Sequence, residues 1–208
     1  MNKIFNLSMN KTATFSTHNL LKACGINSVH STKSPLDLAK KFDAFNDGNH
    51  VNKFKEYYNH YPDALFLLNT RPLQDWIFSR FKHGIVESKR KRQKVNWAYP
   101  ASEKLALSWI DKRRQHHHSV LDFFKDKPSQ LLVCNIENPV WQKTTLKFLK
   151  VDKEIPSIVL NTSNIKLLNT SNIKYSNIQN VINNLKYNKN ELLFPDFDPI
   201  NYSMLQIY

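Results

Sequence analysis

Short apolar runs alternate with helix patterns through roughly the first 150 residues, and this alternation is the feature that most constrains the fold. The runs "ALFLLNT" (64–70) and "QLLVCNI" (130–136) are continuous, as in strands covered on both faces of a parallel sheet. Strands that alternate with helices indicate right-handed crossovers between parallel strands. The sequence therefore predicts a three-layer α/β/α fold around a central parallel sheet.

The individual elements follow from periodicity and from cap residues. Gly25 suits a helix C-cap, and Ser34 with Pro35 suits the start of the next helix. A basic, weakly patterned stretch covers 82–102. The predicted strands are 3–9, 27–30, 43–45, 64–70 and 130–136, and the predicted helices are 13–24, 35–42, 51–61, 72–81, 103–124 and 140–149.

The character of the chain changes after about residue 155, where asparagine, lysine and isoleucine dominate. "LNTSNIK" occurs at 160–166 and again at 168–174, and two copies are too few for a solenoid. We expect an α/β domain over 1–155, followed by a C-terminal extension over 156–208 that is loosely packed or partly disordered.

The two cysteines and the apolar runs bear on the compartment. Cys24 and Cys134 lie in apolar surroundings, so free buried thiols are favoured over a disulfide. The chain has no run of about 18 apolar residues, which a membrane-spanning helix would need. The first residues also lack the basic start, long apolar core and small-residue cleavage site of a signal peptide. These features predict a cytoplasmic protein with no membrane span.

A net charge of +13 predicts an anionic partner, which could be nucleic acid, a membrane surface, or a phosphorylated or sulfated ligand. Part of the charge lies in "SKRKRQK" (88–94), which is read either as a solvated loop or as part of a binding surface. Composition alone does not choose among these partners.

The segment "NKTATFS" (10–16) joins the first predicted strand to the first predicted helix. A helix N-terminus offers backbone N–H groups and the positive end of the dipole, and Lys11 adds a point charge. Hydroxyls of Thr12, Thr14 and Ser16 add donors that suit phosphate or sulfate oxygens. No glycine occurs before Gly25, so a Walker nucleotide loop is disfavoured, and a Ser/Thr-rich helix cap remains the alternative.

A second anion-binding candidate follows the strand at 64–70. Arg71 offers a planar fork that suits a phosphate, and Ser79 comes eight residues later, within the next predicted helix. Because ligands bind at the carboxyl ends of parallel strands, both Lys11 and Arg71 fall where a ligand is expected.

Together these segments resemble the PAPS-dependent sulfotransferases. Residues 11–16 resemble the family's "PKTGTTSL"-type loop, and "YPDALFLLNTRPLQDWIFS" (61–79) is similar to its "YPDAKFILTTRDPESWLxS" segment. "NSVHS" (27–31), "FDAFND" (42–47) and 116–149 are similar to other parts of the family, so the resemblance covers about 3–150.

The resemblance implies a P-loop NTPase-like sulfotransferase fold that uses 3′-phosphoadenosine-5′-phosphosulfate (PAPS) as co-substrate. It implies that Arg71 and Ser79 bind the 3′-phosphate. It also implies that the 5′-phosphosulfate is bound by a loop, which consists of Lys11, Thr12, Ala13, Thr14, Phe15 and Ser16.

The chain departs from the family pattern at several positions. Ala13 replaces the loop glycine, and the backbone tolerates its Cβ if φ at this residue stays negative. Phe15 replaces a threonine. Asn10 replaces the proline before the lysine, and Pro72 directly follows Arg71 in place of an acidic residue. A catalytically degenerate member is therefore one alternative.

A general base is needed to deprotonate the acceptor. Asp47 is the first candidate, because "DAFND" aligns with an acidic segment of the family through Asp43 and Asp47. His30 and His18 are rivals, and a turn residue before Gly48 is the plain interpretation of Asp47.

No metal is required, because the lysine and the helix dipole supply positive charge. The chain has no HExxH or CxxC pattern, and the "HHH" at 116–118 diverges around a helix, so these histidines are expected at a surface or interface.

The favoured function is transfer of a sulfuryl group from PAPS to a hydroxyl or amine acceptor that the sequence does not identify. The alternatives are a basic nucleic-acid-binding module and a degenerate sulfotransferase-like protein, and a nucleotide kinase is disfavoured by the absent Walker sequence. The run 89–94 is expected to be either a lid over the nucleotide or an ordinary loop. Trp97 and Tyr99 are expected to stack on adenine, to line the acceptor pocket or to lie in the core.

Overall fold

A computed structural model describes residues 2–48, 51–91, 101–153, 176–186, 188, 190–193 and 206–207. The strands are β1 (Ile4–Asn6), β2 (Ser28–His30), β3 (Ala44–Asn46), β4 (Leu65–Thr70), β5 (Leu131–Asn135) and β6 (Gln206–Ile207). The helices are α1 (Thr14–Ala23), α2 (Pro35–Leu38), α3 (Phe54–His60), α4 (Leu73–Lys91), α5 (Glu103–Phe124), α6 (Trp141–Phe148) and α7 (Ser176–Asn184), and a 3-10 turn (Val51–Lys53) precedes α3.

The strands form one sheet in the order β2-β3-β1-β4-β5-β6, and every pair is parallel. β4 pairs with β1 through Phe66 opposite Phe5, and with β5 through Leu68 opposite Val133. This confirms the predicted α/β class with a parallel sheet. The two-residue β6 was not predicted, because so short an edge strand has no periodicity of its own.

Alternate residues of the strands face opposite helical layers, as the period of two requires. Ile4 packs on one face with Leu21 of α1 and with Leu149, which follows α6. On the other face, Phe5 stacks on Tyr57 of α3 at 4.6 Å between ring centroids, and Phe66 lies 4.7 Å from Phe124 of α5. Helices therefore cover both faces, consistent with an α/β/α arrangement.

The chain divides into two structural units. The first contains the described residues of Met1–Thr70, Ser119–Thr162 and Asp198–Tyr208, and the second contains those of Arg71–His118 and Ser163–Phe197. In the second unit, α7 buries Ile178 and Ile182. The boundary predicted at residue 155 lies outside the described residues and stays a prediction, and so does the state of the two "LNTSNIK" segments.

Several predicted element boundaries are wrong. The helix expected over 35–42 ends at Leu38, and the helix expected over 51–61 is α-helical only from Phe54, after a 3-10 turn. The first strand ends at Asn6 and not at Met9, because the chain leaves the sheet to form the loop before α1. The helix expected to end at residue 81 continues to Lys91, so the basic run begins inside α4. Lysine and arginine are good helix formers, and their charge had disguised the helix.

Cys24 and Cys134 are free cysteines, as predicted; Cys134 is buried and Cys24 half-buried. Among the helices that the structure describes, none is both long and apolar enough to cross a bilayer.

Candidate active site

The carboxyl ends of β1 and β4 form a topological switch point in the first unit. These neighbouring strands lie at the centre of the sheet, and the chain leaves β1 toward β2 on one side but leaves β4 toward β5 on the other. In open parallel sheets such a divergence opens a crevice where ligands bind. The segment 7–13 begins at this position.

The loop 7–13 is held by its own hydrogen bonds and by β4. The Leu7 N–H donates to the Leu67 carbonyl at 2.7 Å, and the Ser8 N–H donates to Asn6 Oδ1 at 3.1 Å. The Thr12 hydroxyl donates to the Met9 carbonyl, so it contributes to the loop itself. Thr12, Thr14 and Ser16 are all buried, which fixes the approach of the chain to α1.

Ala13 has a left-handed conformation, with φ 61° and ψ 27°, and its carbonyl accepts the first backbone bond of α1 from Thr17. From the sequence, an alanine is expected to be tolerated here only with a negative φ, and the observed φ is positive. A left-handed conformation costs an L-residue about 1–2 kcal/mol relative to glycine. Lys11 is also left-handed, with φ 71°. The loop thus has a backbone shape that favours glycine, although no glycine is present there.

Buried neutral side chains support the loop from below. Asn6 Nδ2 donates to Asn46 Oδ1 at 3.0 Å, and Asn46 Nδ2 donates to Ser28 Oγ, also at 3.0 Å. His18 Nδ1 lies 2.9 Å from the same Ser28 hydroxyl. This network joins the ends of β1 and β3 to the start of β2 and to α1, so it fixes the segments that carry the candidate site.

Sequence reasoning missed this network, although a signal was present. Asparagine ends or nearly ends four strands, in "IFN", "AFN", "LLNT" and "VCN". In β4, Asn69 Nδ2 donates to Thr17 Oγ1 at 2.9 Å, and its backbone N–H donates to Ser8 Oγ. An amide side chain both donates and accepts, so it satisfies buried loop atoms where the strand ladder stops.

His30 and Asp47, which the sequence offered as rival bases, form a pair. His30 Nε2 lies 3.6 Å from Asp47 Oδ2 and 3.4 Å from the Thr14 hydroxyl. The other ring nitrogen lies 3.0 Å from Ser31 Oγ. Asp47 has φ 59°, which also agrees with a turn before Gly48. Burial lowers the pKa of His30, while Asp47 partly opposes that shift.

The rings of Phe15 and His18 lie beside this pair and contact the His30 ring. Phe15 meets His30 edge-on at 5.4 Å between centroids, and His18 lies 5.7 Å from His30. Phe15 is 48% exposed, unusual for a large apolar side chain at the start of a helix. Burial lowers the pKa of His18, and His30 and then Lys22 lower it further. Because the His18 ring is also next to Ser28, its position is set by the buried network.

The second unit contains Arg71 and Ser79. Arg71 is the residue after β4 and is half-buried, and Ser79 is half-buried in the second turn of α4. The Arg71 carbonyl accepts a 2.6 Å hydrogen bond from Arg113 Nη2. Beside Ser79, Arg80 lies over the rings of Trp76 and Trp109, at 4.9 and 4.4 Å from their centroids. The 3′-phosphate role of Arg71 and Ser79 stays a prediction.

The histidines at 116–118 were expected at a surface or interface, and this expectation is wrong for two of the three. His116 and His117 are buried, and only His118 is exposed. Burial lowers the pKa of His117 well below its ordinary value, and Arg113 lowers it further. The long apolar face of α5 includes two histidines, which residue type alone had not suggested. Among the described residues, no group of three metal-ligating side chains converges.

Several predicted features lie outside the described residues. They are Lys94, Trp97, Tyr99 and the duplicated segment, and for Lys89–Lys91 only the helical backbone is described.

No family model matches this chain, and no curated protein matches it in a sequence search. The resemblance to sulfotransferases therefore rests on the motifs themselves.

Proposed function

We propose that the protein is a sulfotransferase that moves a sulfuryl group from PAPS to a hydroxyl or amine acceptor, and that its fold is of the P-loop-like sulfotransferase type. The observation that supports this most is the loop 7–13, which leaves the switch point of a parallel sheet and enters α1 through a left-handed residue. The same position carries the lysine and hydroxyl residues that resemble the family's phosphosulfate loop.

Lys11 and the first turn of α1 supply positive charge for the 5′-phosphosulfate. α1 has no acidic residue in its first turn, and its N-cap residue, Ala13, has no polar side chain to cap the helix. The first N–H groups of a helix lack intrahelical acceptors and suit an anion. In the reaction, Lys11 stabilises the charge that develops on the phosphate oxygen as its bond to sulfur breaks.

The His30–Asp47 pair receives the proton of the acceptor. The acceptor oxygen or nitrogen forms a bond to sulfur, the sulfur–oxygen bond to the 5′-phosphate breaks, and the acceptor proton moves to His30. Because its pKa is lowered, His30 is neutral at neutral pH and able to accept a proton. Asp47 then stabilises the imidazolium, which makes the two candidate bases one unit. The products are a sulfated acceptor and adenosine 3′,5′-bisphosphate.

The test is thermal stabilisation by adenosine 3′,5′-bisphosphate. A ligand present at 100 times its Kd stabilises the folded state by about 2.7 kcal/mol. We expect wild type to be stabilised, Lys11→Ala to lose most of the effect, and Lys22→Ala, at the opposite end of α1, to keep it. Once an acceptor is found, Lys11→Ala should lower turnover about 100-fold to 1,000-fold, as loss of a transition-state donor does.

A nucleic-acid-binding module is the competing function, favoured by the basic residues that continue α4 to Lys91. That function predicts stabilisation by an oligonucleotide that falls steeply with salt. It also predicts that Lys11→Ala and Lys22→Ala weaken oligonucleotide binding to the same extent. If the bisphosphate has no effect while DNA stabilises strongly at low salt, the sulfotransferase proposal fails.

A further inference from the structure

A guanidinium with no solvent exposure supports the backbone of Arg71 in the second unit. Arg113 is fully buried, and its Nη2 donates to the Arg71 carbonyl at 2.6 Å and to the Leu192 carbonyl at 2.7 Å. Its guanidinium carbon lies 5.0 Å from the centroid of the Trp76 ring. Burying a charge is costly unless it is bonded, so this side chain has one well-defined place.

The segment 190–193 completes the same support. The Glu191 carbonyl accepts from the Leu73 N–H at 3.0 Å, at the start of α4. The Glu191 carboxylate accepts two bonds from Arg114, Nε at 2.9 Å and Nη2 at 2.6 Å, and its side chain is 2% exposed. Two carbonyls of this segment therefore support the chain next to Arg71. The Leu192 carbonyl does so through Arg113, and the Glu191 carbonyl does so directly.

We propose that Arg113 and Glu191 are positioning residues that orient Arg71 toward the 3′-phosphate. This inference rests on the proposed function, because it takes the 3′-phosphate contact of Arg71 from it. It assigns a role in donor recognition to a C-terminal segment that the sulfotransferase resemblance does not cover. A fixed backbone at Arg71 strengthens phosphate binding, because the planar guanidinium forms paired hydrogen bonds only in one orientation. A small displacement of the guanidinium would weaken these bonds.

The experiment compares two nucleotides by calorimetry on the full chain. Adenosine 3′,5′-bisphosphate carries the 3′-phosphate, and adenosine 5′-monophosphate lacks it. We expect Arg113→Lys and Glu191→Gln to weaken the bisphosphate about tenfold or more, while the monophosphate Kd stays within about twofold, since only the charge-assisted contact is lost. Glu103→Gln, an exposed change of the same type on α5, should alter neither Kd.

The outcomes separate the two levels of the proposal. Equal weakening of both nucleotides, or no weakening of either, overturns the positioning role while leaving the proposed function standing. A wild-type protein with no preference for the bisphosphate overturns the proposed function and this inference with it. Melting curves verify that each variant is folded, and if Arg113→Lys does not fold, Glu191→Gln carries the comparison.

Discussion

The loop before α1 and the chain after β4 are supported in opposite ways. Beneath the loop, Asn6, Asn46 and Ser28 form a network of neutral amides and a hydroxyl. In the second unit, the chain at Arg71 is bonded by Arg113, a fully buried positive charge. Both supports fix the exit of a strand where we propose that a phosphate binds, yet their energetic consequences differ.

This difference predicts how the stability of each region should respond to mutation. A neutral buried group that loses its partner costs about 1–3 kcal/mol, and a buried group that loses a hydrogen bond to a charged partner costs more. Burial lowers the pKa of Arg113 to about 9, so the guanidinium is still charged at neutral pH. The second region should therefore be more sensitive to a single substitution.

The largest expected effect is that of Arg113→Met, which keeps the bulk of the side chain but removes the charge and two hydrogen bonds. We expect it to lower the free energy of unfolding by about 3 kcal/mol or more, because the buried carbonyls of Arg71 and Leu192 both lose a charged donor. Urea denaturation measures this. Lys112→Met, exposed on the same helix, should stay within about 0.5 kcal/mol. A loss below about 1 kcal/mol for Arg113→Met would remove the contrast between the two regions.

A smaller effect is expected in the neutral network. Asn46→Ala leaves the Asn6 amide and the Ser28 hydroxyl without their shared partner, at a cost of about 2 kcal/mol in unfolding free energy. The matched control is Asn59→Ala on the exposed face of α3, where the change should stay within about 0.5 kcal/mol. If the two alanine variants are equally stable, the network does not hold the loop.

At Ala13 the expected effect changes sign. Ala13→Gly should raise the free energy of unfolding by about 1 kcal/mol, because glycine adopts the left-handed conformation found there without strain. Ala23→Gly, an exposed position in the last turn of α1, should lower it by about 1 kcal/mol. The sharpest measurement is the difference between these two variants in urea. A destabilised Ala13→Gly would mean that φ at residue 13 is negative in solution.

The smallest effect near neutral pH is that of His117. Because the folded pKa of His117 lies below its ordinary value of 6.5, the unfolded state binds more protons in acid. Its contribution to stability is therefore complete above that value and is lost as the pH falls below it. His117→Leu should flatten the acid side of the stability profile, and His118→Leu, exposed on the same helix, should leave it steep. A profile unaffected by His117→Leu would indicate that the buried ring does not determine acid sensitivity.

The course of the fold was predictable because it depends on local periodicity. The continuous runs at 64–70 and 130–136 became β4 and β5, and the pattern at 103–124 became α5 with the same bounds. The end of α4 was missed because charge was taken as a sign of a loop. The two buried histidines of α5 were missed because residue type favours the surface.

The candidate site was predictable only in part, from residues close together in the chain. The lysine and hydroxyls of 11–16 could be read directly, and Asp47 and His30 could be named separately. Their pairing at 3.6 Å depends on β2 and β3 being neighbours in the sheet, which local pattern does not specify. The same is true of Arg113, whose partners Arg71 and Leu192 are 42 and 79 residues away in sequence.

The sequence by itself determined the order of strands and helices and the chemistry available at each strand end, because both depend on side-chain period and type. Only the tertiary structure decided which of those groups meet and which conformation the loop takes. The reason is that hydrogen bonds between distant residues, burial of Arg113 and the left-handed Ala13 all depend on how the strands are ordered and packed. Local sequence carries no record of that order.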